Sequence, residues 1–147
     1  MLTVFSDEYY MKEALKEAQK AFDEDEVPVG AIVVCDNKII ARAHNMTEKL
    51  NDVTAHAEML AITSATNFLG GKYLNECSIY ITLEPCIMCA GALFWSQVKK
   101  VVYAAPDLKR GFSLVEKSIL HPKTEVIRGI MQQESSDLMT SFFKSKR

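Results

Sequence analysis

The sequence has no repeats, no low-complexity tract and no Pro/Gly-rich linker; four prolines and six glycines are scattered through 147 residues. This predicts one domain spanning 1–147, long enough to bury most of its apolar surface. No apolar run approaches the roughly 18 residues that a membrane span needs, so no membrane partner is expected. The opening stretch "MLTVFSDEYYMKEA" has acidic residues after a very short apolar segment, unlike a secretory signal, and predicts a cytoplasmic protein. Positive charge is not in excess either. With 17 basic and 19 acidic residues the formal charge is -2, so attraction to a polyanion would have to be local. "DEDE" at 23–26 is wholly acidic, and the charged residues of the final "FFKSKR" are all basic.

Hydrophobic residues make up 48% and charged residues 24%, an ordinary soluble composition. Ser6 suits the N-cap of a first helix, with Met11, Ala14, Leu15, Ala18, Ala21 and Phe22 on one face. "VPVGAIVVC" and "KIIARA" read as two strands joined at Asp36-Asn37. A polar loop precedes a helix predicted over 54–67 and stopped near Gly70. "CSIYITL" reads as a strand, and Pro85 favours the first turn of a helix running to about Ser96. "KKVVYAA" and the weaker "TEVIRG" read as further strands, residues 105–122 are mostly loop, and a last helix carries Leu138, Phe142 and Phe143. Strands alternating with helices predict an α/β layered domain with a partly parallel sheet. Sites in such sheets form beyond the carboxyl ends of the parallel strands, where "EPC" falls.

Of the four cysteines, Cys86 and Cys89 form a Cys-x-x-Cys pair, which in a cytosolic chain points to a metal or redox site. With His56 they make a set suited to zinc: two thiolates at i and i+3 on a first helical turn, and one imidazole. Helix N-termini favour thiolate over thiol. Cys77 begins a strand whose far end approaches the site, about 20 Å away at roughly 3.3 Å per residue. Cys35 lies at the first hairpin's turn, and both read as buried small hydrophobes. His44, at that hairpin's open end, would need an unusual loop to join. Three ligands leave an open position for water, the pattern of a catalytic site. Glu58 then reads as the carboxylate that moves that water's proton. Residues i and i+2 do not share a helix face, so the site must lie at the helix N-terminus for Glu58 to reach it. Taken alone, "HAE" is a weak signal and "CIMC" could be redox-active; their combination carries the reading. Met59 and Met88 read as core fillers.

His-x-Glu followed by Pro-Cys-x-x-Cys is a known signature of zinc-dependent nucleobase deaminases. More specifically, "EVPVGAIVV", "HN" at 44–45, "TAHAEMLAI", "YITLEPCIMCAGAL", "VVYAAPD" and the terminal "SFFKSKR" make the chain resemble the bacterial tRNA-specific adenosine deaminases nearly end to end. The resemblance implies a three-layer α/β/α cytidine-deaminase-like fold around a mixed sheet of about five strands. It also implies one zinc ion per subunit, a homodimer, and conversion of adenosine to inosine at the wobble position of a tRNA anticodon stem-loop. By the same resemblance His56, Cys86 and Cys89 are zinc ligands, Glu58 is the proton shuttle and Asn45 bonds the target base. Val29 and the segment Ala55-His56 resemble the pocket wall. Asp107 and Lys109 fall in the loop beside the anticodon, and Phe142, Phe143 and Lys144 in the terminal helix that holds RNA. The chain departs from the pattern after Asp107, where "DLKRGFSLVEKSILHP" replaces a Gly/Ala-rich stretch. Rival readings are a deaminase of a free purine such as guanine, a free-cytidine deaminase, or a zinc-structured RNA-binding module without turnover.

Overall fold

The computed structural model describes residues 5–146. Helix α1 (Asp7–Asp23) leads into a hairpin of β1 (Gly30–Cys35) and β2 (Lys38–His44). Helix α2 (Ala57–Leu69), β3 (Cys77–Leu83), α3 (Ile87–Ser96) and β4 (Lys100–Ala105) follow, then β5 (Glu125–Arg128) and α4 (Gln132–Lys144). The sheet order is β2-β1-β3-β4-β5. β1 is antiparallel to β2 and β3, whereas β3, β4 and β5 run parallel. The expected three-layer architecture and five-stranded mixed sheet are both present.

Strand alternation explains the two faces. Val33, Ile79, Ile81, Val101 and Tyr103 point into one core with Ala57, Ala61 and Ala65 of α2 and Leu93 of α3. Ile32, Val34, Tyr80, Val102 and Ala104 point the other way, against Tyr10, Met11 and Ala14 of α1. Successive strand residues face opposite sides, so each strand serves both cores. The β1–β2 turn takes left-handed backbone at Asp36 (φ 53°) and Asn37 (φ 59°), the conformation a two-residue hairpin needs and Asn and Asp tolerate.

Three local expectations are corrected. Helix α2 starts at Ala57 and not near Thr54, because the Thr54 N–H and hydroxyl both donate to the Asp52 carboxylate in a tight turn. Pro85 stands one residue before the N-cap Cys86, outside the helix it introduces. Met88 is exposed and Met59 half-buried, so neither is a core filler. The expected helix stop holds: Gly70 closes α2 in the left-handed conformation (φ 73°).

Gly30 lets α1 lie directly on β1. A Cβ there would come within 2.1 Å of the Ala14 carbonyl oxygen and 2.5 Å of the Ala18 nitrogen, both backbone atoms that cannot step aside. Gly30→Ala should therefore lower the unfolding free energy by about 3 kcal/mol, at the top of the overpacking range. Urea unfolding checks this, and an unchanged midpoint would mean that α1 is not held against β1 at this point.

Candidate metal centre and cleft

Both chain segments that carry candidate ligands reach the site as helix N-caps. His56 caps α2 (φ -70°, ψ 153°) without a side-chain bond to its own helix, and Cys86 caps α3 (φ -73°, ψ 174°), its sulfur meeting only Cys89 of that helix. The ordinary capping residues turn their oxygen back onto the helix; here imidazole and sulfur remain available. The His56 Nδ1 lies 3.6 Å from Cys86 Sγ and 3.5 Å from Cys89 Sγ. Metal–ligand bonds of roughly 2.0–2.3 Å in a tetrahedron give ligand–ligand edges of about 3.3–3.8 Å. The three donors thus fit a zinc ion. Among the described residues they are the group of three His, Cys, Asp or Glu side chains that can hold a metal.

The electrostatics agree with that use. Hydrogen bonds from Cys89 and His56 hold the Cys86 thiol down to about 4. Cys89 is pushed up, first because it shares a hydrogen bond with the Cys86 sulfur and then by burial. A bound cation would remove the shared proton and ionise both sulfurs. Glu58 is 4% exposed, and burial raises its carboxyl to about 7 despite its own backbone N–H and the nearby His56. The face-sharing difficulty disappears because His56 lies outside the helix in extended backbone. Its side chain and that of Glu58 are not related by helical rotation.

His56, Glu58 and Cys86 line one side of a cleft of about 780 Å³, which also includes Val29, Asn45, Asp107, Lys109 and Phe143; Cys89 is fully buried beside them. Asn45 is buried; its amide donates to the Val27 carbonyl at 3.3 Å and accepts from the Thr47 N–H at 3.3 Å. Two expected wall and grip residues are elsewhere. Ala55 is buried behind the cleft with its carbonyl taken by the Met46 N–H, and Ala57 lines the cleft in its place. Phe142 is packed edge-on against Phe22 under the Lys146 ammonium, leaving no face for a base. Its neighbour Phe143 is 47% exposed. Lys144 is exposed in the last turn of α4 and does not line the cleft. Arg147 of the terminal motif lies outside the described residues.

His44 is no ligand: its ring nitrogens contact Glu17 and Glu24 carboxylates at 3.3 and 2.8 Å. Cys77 is buried as expected, and burial raises its thiol to about 12. Cys35, opposite it in register, is only half-buried. Sequence reasoning missed Arg110 and Leu108 at the cleft rim, and Glu84 within it. Only Glu84 had a readable signal: a carboxylate between an apolar strand and the Pro-Cys pair.

A His/Cys/Cys donor set beside a buried carboxylate, opening on a cleft large enough for a nucleobase, is the centre of a metal-dependent hydrolase. The profile of the cytidine and deoxycytidylate deaminase zinc-binding region matches residues 5–105, and the chain belongs to that family. It is 46% identical over 145 residues to the tRNA-specific adenosine deaminase of Aquifex aeolicus, covering 95% of each chain. It is also similar to a solved structure described under A-to-I editing by tRNA deaminases at the wobble position of transfer RNA. That likeness has a TM-score of 0.83 and 39% identity over 88% of this chain and 98% of the other. The likeness to a guanine deaminase structure from Bacillus subtilis is 40% identical but spans 69% of this chain and 65% of that one, at a TM-score of 0.66. Zinc is the cofactor of this family's site, and the donor set here fits it.

Cys86→Ser and His56→Ala should each reduce bound zinc from about one ion per chain to near zero, since removing one of three ligands leaves too few for tight binding. Elemental analysis of purified protein checks this. Full zinc in either variant would exclude the triad as the binding site.

Proposed function

We propose that the chain hydrolyses adenosine to inosine and ammonia at the wobble position of a tRNA anticodon. One observation carries the reading: Glu58 and two members of the His56/Cys86/Cys89 triad, His56 and Cys86, line one cleft with Asn45, and Lys109, Arg110 and Phe143 stand around its opening. The named activities of the relatives support the same substrate. The likeness to the Bacillus subtilis guanine deaminase covers less of the chain, at a lower TM-score, and favours the rival reading less.

In this mechanism His56, Cys86 and Cys89 hold the zinc. When bound, zinc supplies a Lewis acid that lowers the pKa of water. Glu58 accepts a proton from the attacking water and delivers it to the ring nitrogen beside C6. It then takes the second proton, from the new hydroxyl on C6, and passes it to the departing amine, so that ammonia leaves as the C6 carbonyl forms. Burial brings its carboxyl close to neutrality, where a group can both take and give a proton. The Asn45 amide has two donors and two acceptor lone pairs, so one of each remains for a purine edge after its bonds to Val27 and Thr47. Val29 and Ala57 supply apolar wall. Phe143 offers a stacking face, while Lys109, Arg110 and Lys144 offer cations to phosphates.

The chain acts in this reading as one cytoplasmic deaminase domain and as a homodimer. Among the described residues no helix is long and apolar enough to cross a membrane. The dimer reading is supported by Ile87, Met88 and Trp95, which leave an apolar stripe exposed along α3, with Trp95 76% accessible. Exposed apolar stripes of this kind mark interaction surfaces.

Glu58→Gln should retain zinc while losing roughly 10²–10⁴-fold in turnover, the usual contribution of positioned acid–base catalysis. Full turnover in that variant would remove Glu58 from the mechanism. Zinc-loaded protein should form inosine in an anticodon stem-loop with adenosine at the wobble position and leave free adenosine, guanine and cytidine untouched. Reaction of free guanine alone would retain the metal site and overturn the substrate. Sedimentation should give a dimer that Trp95→Glu dissociates; a wild-type monomer at micromolar concentration would refute the assembly.

A further inference from the structure

We propose that Glu84 is a positioning residue that fixes the cleft's outer loop, residues 107–113, and so sets affinity for RNA more than the rate of chemistry. The proposal rests on the tRNA reading above. Glu84 follows the last residue of β3 and precedes Pro85-Cys86, and it is only 3% exposed. Its carboxylate accepts from two points of the loop, the Asp107 N–H at 3.1 Å and the Ser113 N–H at 2.9 Å. Both oxygens are therefore engaged across the loop's two ends, a poor arrangement for moving a proton and a good one for holding a segment.

The tie continues outward. The Asp107 carboxylate accepts the Lys109 and Arg110 N–H groups, each at 3.0 Å, and the Asp107 carbonyl accepts the Gly111 N–H at 3.0 Å. Glu84 thus holds Asp107, and Asp107 shapes the turn that carries the two cations. On the far side the Phe112 N–H donates to the Pro85 carbonyl at 3.0 Å, and Gly111 pairs with Cys86 as an isolated bridge. The recognition loop is laced to the very segment that bears a metal ligand.

Gly111 provides a separate observation. A Cβ there would lie 2.4 Å from the Glu84 carboxyl carbon and 2.5 Å from each of its oxygens. A carboxylate at the end of a flexible side chain ordinarily moves aside. This one is buried and held by two backbone N–H groups, so moving it breaks both bonds. The loop has glycine where the carboxylate needs the space.

Two variants reach the tie by different routes: Glu84→Gln removes one acceptor while keeping the shape, and Gly111→Ala displaces the carboxylate without altering it. In zinc-loaded protein both should speed amide hydrogen exchange across 107–113 while leaving zinc stoichiometry unchanged. On the anticodon stem-loop both should raise KM roughly five- to twentyfold, as expected from losing a charge-assisted hydrogen bond, with kcat within about twofold. The double variant should be no worse than the more impaired single one, because residues sharing one interaction are not additive. Unchanged exchange in both variants overturns the proposal, as does a fall in kcat at constant KM or a loss of zinc. If the unaltered protein left the stem-loop untouched, the substrate reading would fail by itself, and the exchange measurement would still decide the tie.

Discussion

A helix cannot satisfy its own first N–H groups, and its N-terminus carries partial positive charge. Two helices here begin at one place, and the site depends on that convergence. Ordinary capping by Ser or Asp would close each helix start. His56 and Cys86 occupy the cap positions in extended backbone and keep an imidazole nitrogen and a sulfur within reach of one another. The Cys-x-x-Cys spacing follows from the same geometry. N-cap and N3 side chains meet at a helix start, as the capping box exploits, so Cys86 and Cys89 meet while His56 arrives from the other helix. Zinc would draw these groups together, but the backbone has already placed them within about one tetrahedral edge of each other.

Much of this was legible because it rests on local rules. Ser6, Gly70, the Asp36-Asn37 turn and the alternation of β3 each declare their structure in a few residues. The His/Glu and Cys/Cys motifs were equally legible, since metal chemistry restricts residue type and spacing. Failures came where neighbours in sequence part company in space. Phe142 and Phe143 are indistinguishable by composition, yet helical rotation sends one against Phe22 and the other to the cleft. Ala55 and Ala57 flank His56, and the turn held by Asp52 decides which of them lines the wall. Side chain–backbone competition of that kind has no periodic signature.

Three buried glutamates around the cleft show how one residue type takes different roles. Glu26 accepts the Glu48 and Lys49 N–H groups at 3.1 and 2.7 Å, securing the loop that runs from Asn45 toward His56. Glu84 does the same for the loop beyond β4. Glu58 has no cross-loop donors of this kind; it faces sulfur and imidazole, and burial lifts its carboxyl to about 7. A carboxylate with both oxygens held by backbone N–H groups is a tie. One that is desolvated beside a metal site suits the proton carrier of the proposed mechanism. Burial alone does not separate them; the partners do.

The arrangement separates chemistry from recognition. Ligands and Glu58 belong to helix starts packed on the sheet, where small displacements would cost packing on both sides. The cations and Leu108 belong to a loop whose shape comes from a few hydrogen bonds to two carboxylates and two carbonyls. Such a loop can change sequence without disturbing the metal triad, provided the two N–H groups and the glycine beneath the carboxylate keep their places. The stretch after Asp107 is tied at both ends by the Glu84 carboxylate. The tied ends preserve the loop's path across the cleft, while the free side chains between them set what it can grip. In the proposed function these loop side chains would meet the RNA, and changing them would leave the hydrolytic centre as it is.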